Sequence, residues 1–267
     1  MRVPRLLIVV GPAVILVAIG VLVPQLALFF GGAGVGWMVA AQIVLRNRQQ
    51  MEYRAAVRHL RHNEYAEAVA AMDRLILTEP QKSEHYQFRA ELYRLWGKLG
   101  NARADYERVI ELEPQSEKGY TGLAETCAQQ GDFEQARDYA VQALERAPRR
   151  WMTAYNLGLI EDRLGNAEAA VEHLEKVLAV GRLHSRYRLL TQLWLARNTY
   201  RQGRTDEARQ HLALMRQQAD GVRDWRVVFE SDQAAPLREL LQPDVDLAEH
   251  LLDVHAPLGL LDRAPDR

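Results

Sequence analysis

The chain has 267 residues, 48% of them apolar but only 7% aromatic, and a formal net charge of −1. Abundant alanine with few aromatic residues disfavours a β-sandwich and suits close-packed helices. The near-zero charge supplies no field that calls for nucleic acid. The single cysteine, Cys127, excludes an internal disulfide and a cysteine-based metal cluster.

Charge is unevenly spread. Arg2, Arg5, Arg46, Arg48, Arg54, Arg58 and Arg61 face only Glu52 near the N-terminus, and nine acids face three arginines from Glu230 onward. Between Leu6 and Leu45 no side chain is charged. About 20 apolar residues suffice to cross a bilayer, and Pro24-Gln25 divides this run into 6–23 and 26–45. The expectation is a transmembrane hairpin over 1–48. Arginines at both outer ends place both termini on the cytoplasmic side of the cell (inner) membrane, making a multi-pass protein. A signal peptide from Met1 to about Gly20 is the alternative. Gly32, Gly36 and Ala40 share one helical face that lets helices approach closely, within the hairpin or between copies in a homo-oligomer. The segment Gly32-Ala-Gly-Val-Gly36 lacks the spacing of a dinucleotide-binding loop. Arg46–Arg61 has no Gly or Pro and continues the second span as a helix.

A repeat follows. Pro80, Pro114 and Pro148 are 34 residues apart, as are Gly97, Gly131 and Gly165, and Ala68, Ala102, Ala136 and Ala170 keep the same step. Each period reads as two helices, with glycine ending the first and proline following the second. Five units are expected, at about 49–82, 83–116, 117–150, 151–184 and 185–220. Asn63 replaces glycine in the first unit, and Gly203 comes 38 residues after Gly165, which places about four extra residues around Gly181–Tyr187. After Asp220 the period stops. Ala234–Leu241 and Val245–Leu252 read as two short helices of a cap over 221–254, and 255–267 reads as a disordered tail.

These residues resemble the tetratricopeptide repeat, a 34-residue helical hairpin, over about Gln49 to Asp220. The marks are Ala56, Ala90, Ala124, Gly158 and Ala196 in the first helices, the turn glycines, and the alanines opening the second helices. The resemblance implies an all-α fold: the transmembrane hairpin, then an α-solenoid of about five such units and a short helical cap. It also implies that first helices line a concave binding face. The lining candidates are Tyr53; Gln87, Glu91 and Arg94; Thr121 and Glu125; Tyr155, Asn156 and Arg163; and Arg197, Tyr200 and Arg201. Aromatic and arginine side chains are frequent interface anchors.

No catalytic motif is found: no His-Glu-x-x-His, no Gly-x-Ser-x-Gly, no phosphate loop. His59 and His62 lack a third metal ligand nearby, and Cys127 reads as a buried, inert thiol. No enzyme activity, cofactor or metal is expected. The expected function is a membrane-anchored scaffold binding a protein or peptide partner on its concave face, in cell-envelope assembly or secretion. The alternatives are a homo-oligomeric membrane assembly component and an accessory subunit of a membrane enzyme.

Overall fold

The computed structural model describes residues 5–22 and 27–262, with part of the side chains before residue 48 outside that description. All regular structure among the described residues is helical. The chain falls into two compact units, Met1–Lys82 and Ser83–Arg267.

The first unit contains α1 (Arg5–Leu22), α2 (Ala27–Arg61) and α3 (Tyr65–Thr78). Helix α2 is continuous over 35 residues, so the chain passes from its apolar to its charged part without a break. Its C-terminal half forms a hairpin with α3, burying Ala56, Ala68, Met72 and Leu75. Glu52 of α2 accepts three hydrogen bonds from Arg74 of α3, at 3.1, 3.0 and 2.8 Å. Asn63 turns the chain at φ 59°, a left-handed conformation that asparagine tolerates better than most residues. It therefore stands in for glycine without breaking the hairpin.

Among the described residues no helix is long and apolar enough to cross a membrane. This corrects the two-span hairpin and, with it, the multi-pass inner-membrane placement. Helix α1 has 18 residues with Pro12 inside it, a rise of about 27 Å against a hydrocarbon core of about 30 Å. The apolar start of α2 belongs to one long helix whose other half is charged and packs on α3. The Pro24-Gln25 turn lies outside the described residues, as do the side-chain surroundings of Gly32 and Gly36.

The second unit is a solenoid of hairpins: α4 (Ser83–Leu95) with α5 (Leu99–Leu112), α6 (Glu117–Gln129) with α7 (Phe133–Arg146), α8 (Trp151–Leu164) with α9 (Ala167–Leu178), and α10 (Ser185–Arg201) with α11 (Thr205–Arg216). Each second helix packs on the first helix of the next hairpin. First helices also touch one another in series, α4 to α6, α6 to α8 and α8 to α10, which puts them on the inner side of the curve.

The turns repeat one device. Gly97, Gly131, Gly165 and Gly203 have φ between 74° and 78°. The amide after each glycine reaches back five residues, as in Lys98 to the Tyr93 carbonyl at 2.8 Å and Asp132 to Cys127 at 3.0 Å. This double-bonded helix ending satisfies carbonyls that the helix leaves open. The extra residues before Gly203 are divided between the 179–184 connection and a 17-residue α10.

Gly122 shows how tightly successive hairpins meet. A Cβ there would fall inside the Tyr106 ring of the preceding hairpin, and Tyr106 is itself buried. Gly122→Ala is expected to lower stability by about 1–3 kcal/mol through overpacking. An unchanged midpoint in urea unfolding would contradict this.

The C-terminal segment departs from the expected cap. After α12 (Asp220–Phe229) and a 3-10 turn (Asp232–Ala234), a single helix α13 runs from Ala235 to His250 with Pro243 inside it. The sequence pattern predicts two helices parted at Pro243. Arg163 of α8 donates to the Leu240 carbonyl at 3.2 Å and to the Asp244 carboxylate, clamping the helix on both sides of the proline. Helix α13 packs on α10 and α12 and reaches back to α4 and α6. It therefore crosses the inner face of the solenoid as well as covering its end. Residues 258–262, inside the segment expected as a tail, form a further 3-10 turn and bury Leu261 against the core; residues 263–267 lie outside the description.

Candidate partner-binding groove

The inner face is built from α4, α6 and α8 on one side and from α12 and α13 on the other. Between them lies a groove of about 660 Å³. Its solenoid wall carries Ala124, Ala128, Met152, Tyr155, Leu159 and Ile160, and the opposite wall carries Trp225, Val228, Pro236, Leu237 and Leu240. Arg94, Glu125, Gln129 and Asn156 stand along its polar rim.

A smaller polar cavity of about 160 Å³ shares Arg94 and Glu125 with the groove. It adds Gln87, Glu91, Thr121, Lys118 and Arg150 to the lining. Glu125 accepts from Arg94 at 3.1 Å and from Asn156 at 3.1 Å, tying α4, α6 and α8 together at the rim. Gln87 donates to Glu91 at 3.1 Å. Burial pushes the Glu91 carboxyl above its ordinary value, and the Gln87 bond only partly offsets this. Four polar atoms along these linings have no hydrogen-bond partner within the protein: Arg94 Nε, Thr121 Oγ1, Gln129 Oε1 and the Tyr155 hydroxyl.

Beneath the apolar groove lies a buried ion cluster. Arg197 of α10 donates to Asp162 of α8 and to Asp244 of α13, each at 2.6 Å. Arg163 donates to the same two carboxylates. Trp194 Nε1 donates to Asp244 at 2.8 Å, Asn198 to Asp162 at 2.8 Å, and Arg201 reaches the Asp162 carbonyl at 3.2 Å. Burial would raise the Asp244 carboxyl, but Arg163 and Arg197 overcome it and hold it well below the usual carboxylate range. An aromatic chain joins the cluster to the groove: Tyr155 packs on Trp194 at 5.0 Å and on Tyr187 at 5.3 Å, and Tyr187 packs on Trp225 at 5.7 Å.

The candidate residues thus separate into two groups. Arg94, Glu125 and Asn156 come together on the groove lining and Gln87 and Glu91 on the adjoining polar cavity, with Tyr155 lining the groove from a buried position. Arg163, Arg197 and Arg201 hold the ion cluster instead, Arg197 being completely buried. Tyr200 is half-buried against the core, and Tyr53 belongs to the first unit. Met152, Gln129, Tyr187 and the whole α13 wall were not singled out from the sequence. The signal available for α13 was the apolar spacing Leu237, Leu240, Leu241 continuing to Asp244 on one helical face.

Cys127 is buried, and burial pushes its thiol up. Among the described residues no group of His, Cys, Asp or Glu side chains could hold a metal ion.

Models of the tetratricopeptide repeat match residues 53–117, 121–186 and 189–213, together more than half of the chain. The chain belongs to the tetratricopeptide repeat family. No curated protein matches it in sequence. Among solved structures, this tetratricopeptide chain is similar to the MamA protein, at 16% identity and a TM-score of 0.55 over 67% of this chain and 95% of that one. MamA residues 41-end from Desulfovibrio magneticus RS-1 give 16% identity and 0.56, over 64% and 94%. TTC0263, a thermophilic tetratricopeptide protein of Thermus thermophilus, gives 23% and 0.51, over 69% and 98%. At these identities the likeness is one of fold. The tetratricopeptide solenoid is a protein-interaction architecture, and the groove lies where its first helices face inward.

Proposed function

We propose that this chain is a non-catalytic tetratricopeptide scaffold that binds a segment of a protein partner on the groove face of α4, α6 and α8. The observation that carries this reading is the join between the apolar groove and the polar cavity at Arg94 and Glu125. Apolar side chains of a partner would pack on Met152 and Leu159 of the solenoid wall. Polar groups of the same segment would meet Arg94, Thr121, Gln129 and Asn156; of these, Arg94 Nε, Thr121 Oγ1 and Gln129 Oε1 have no hydrogen-bond partner within the protein. A few convergent polar groups around an apolar trough is the usual design of a specific binding site.

Photo-crosslinking in the native cell tests the reading. A crosslinking residue placed at Gln87 or Asn156 should trap a discrete partner, while one at exposed Glu134 on α7 should not. Glu125→Ala, which unties Arg94 from Asn156, is expected to reduce the trapped product at least fivefold. Equal trapping from Glu134 and Asn156 would remove the groove from the binding site.

A further inference from the structure

Helix α13 is seated on the solenoid in the manner of a bound helical ligand. It crosses from α10 to α6 and α4, helices more than a hundred residues earlier in the chain, whereas a simple end cap would cover only the last hairpin. It presents Leu237, Leu240, Leu241 and Asp244, an i, i+3, i+4, i+7 series on one helical face. The three leucines line the groove. Asp244 is fully buried and held by Arg163, Arg197 and Trp194 from α8 and α10. Helices that lie in a groove are read through this spacing of anchors.

Two features mark the seating as replaceable. The start of α13 leaves a gap of about 660 Å³ against the solenoid and keeps Leu237 exposed, while Leu241, Val245 and Ala248 farther along the helix are buried. Pro243 also stands inside the helix, where it removes a backbone hydrogen bond and weakens α13 as an independent helix. Charge specifies what could take its place. Without Asp244, the guanidiniums of Arg163, Arg197 and Arg201 face the single carboxylate of Asp162.

We propose that α13 is a built-in ligand of the groove, and that the external partner is an amphipathic helix of the pattern Leu-x-x-Leu-Leu-x-x-Asp that binds by replacing it. The proposal rests on the groove being the partner-binding face. It adds the chemistry of the partner and a competing internal helix, whose tethering gives it a high effective concentration. The intact chain is therefore a weak binder and becomes a strong one when α13 is loosened.

The test uses the full chain and a fluorescent synthetic peptide of residues Ala235–His250. Fluorescence anisotropy should show the Asp244→Asn chain binding the peptide at least tenfold more tightly than the unsubstituted chain. A peptide carrying the same Asp244→Asn change should bind at least tenfold more weakly than the natural one. Equal affinity of the two chains, equal affinity of the two peptides, or no binding at all would overturn the proposal. Hydrogen exchange on the unsubstituted chain gives a reading that does not depend on a variant's folding. The α13 amides should exchange together and at least tenfold faster than those of α8 and α10, and equal protection would overturn the proposal. If α13 fails these tests while Asn156 still crosslinks to a partner, the built-in ligand falls and the binding function stands; if Asn156 also traps nothing, both fall.

Discussion

Arg197→Ala is expected to lower the unfolding free energy by about 3–5 kcal/mol, the cost of breaking a buried ion pair from one side. The side chain is completely buried, and both of its terminal nitrogens are taken up by carboxylates at 2.6 Å. Burial works against its charge, yet Asp244 and Asp162 hold the guanidinium protonated more firmly than usual. Removing it leaves two buried carboxylates of which Asp244 keeps only the Arg163 guanidinium, a charge left short of compensation inside the protein. The double variant Arg197→Met with Asp244→Leu should lose much less than the sum of its single changes, because apolar groups of similar volume can replace a buried pair at little cost. Urea unfolding of the four proteins measures the coupling. An Arg197→Ala loss under about 1 kcal/mol would show that the cluster is not closed to water.

The same cluster gives an acid response. The folded Asp244 carboxyl lies below its unfolded value, so its contribution is complete above about pH 4. That contribution fades as the pH falls through the folded value. The acid side of the stability profile should therefore be steeper for the natural chain than for the double variant. Profiles of equal slope would place the acid-sensitive carboxylate elsewhere.

The solenoid was legible because its signals are local and repeated. A glycine at the end of each first helix meets a backbone requirement that hardly depends on distant residues, and Asn63 could be read as its substitute. The positions of Arg94, Glu125 and Asn156 on the groove lining, and of Gln87 and Glu91 on the adjoining cavity, follow from knowing which helix of each hairpin faces inward. Arg197 was not. On its own helix it is one arginine among several; its burial is set by Asp244, 47 residues later, and by the return of α13 over the inner face. Pro243 misled in the opposite direction, because a proline usually ends a helix, but here Arg163 clamps both sides of it. The charge-free run of residues 6–45, divided at Pro24-Gln25, suggested two spans from its composition. In the fold, α2 continues past the apolar run, as the lack of Gly and Pro in Arg46–Arg61 predicts, and contributes its charged half to a hairpin.

Trp225→Ala is expected to cost about 3–5 kcal/mol, as for other large aromatic side chains removed from a core. The indole is nearly inaccessible, stacks on Phe229 at 5.7 Å, and meets Tyr187 edge-on at 5.7 Å. Its N–H donates to the Arg186 carbonyl at 2.9 Å, and the Arg186 guanidinium lies 5.6 Å from its ring. These contacts fasten α12 to the start of α10, where the extra residues of the long repeat are accommodated. Truncation leaves a cavity and removes the indole bond to the Arg186 carbonyl at the point from which α13 is launched across the groove. The loss should therefore be uneven: hydrogen exchange ought to rise in α12 and α13 before it rises in α6 and α7. Because Trp225 also walls the groove, partner crosslinking at Asn156 should fall even at temperatures where the solenoid stays folded. Uniform destabilisation with unchanged crosslinking would mean that Trp225 supports the core alone and takes no part in shaping the groove.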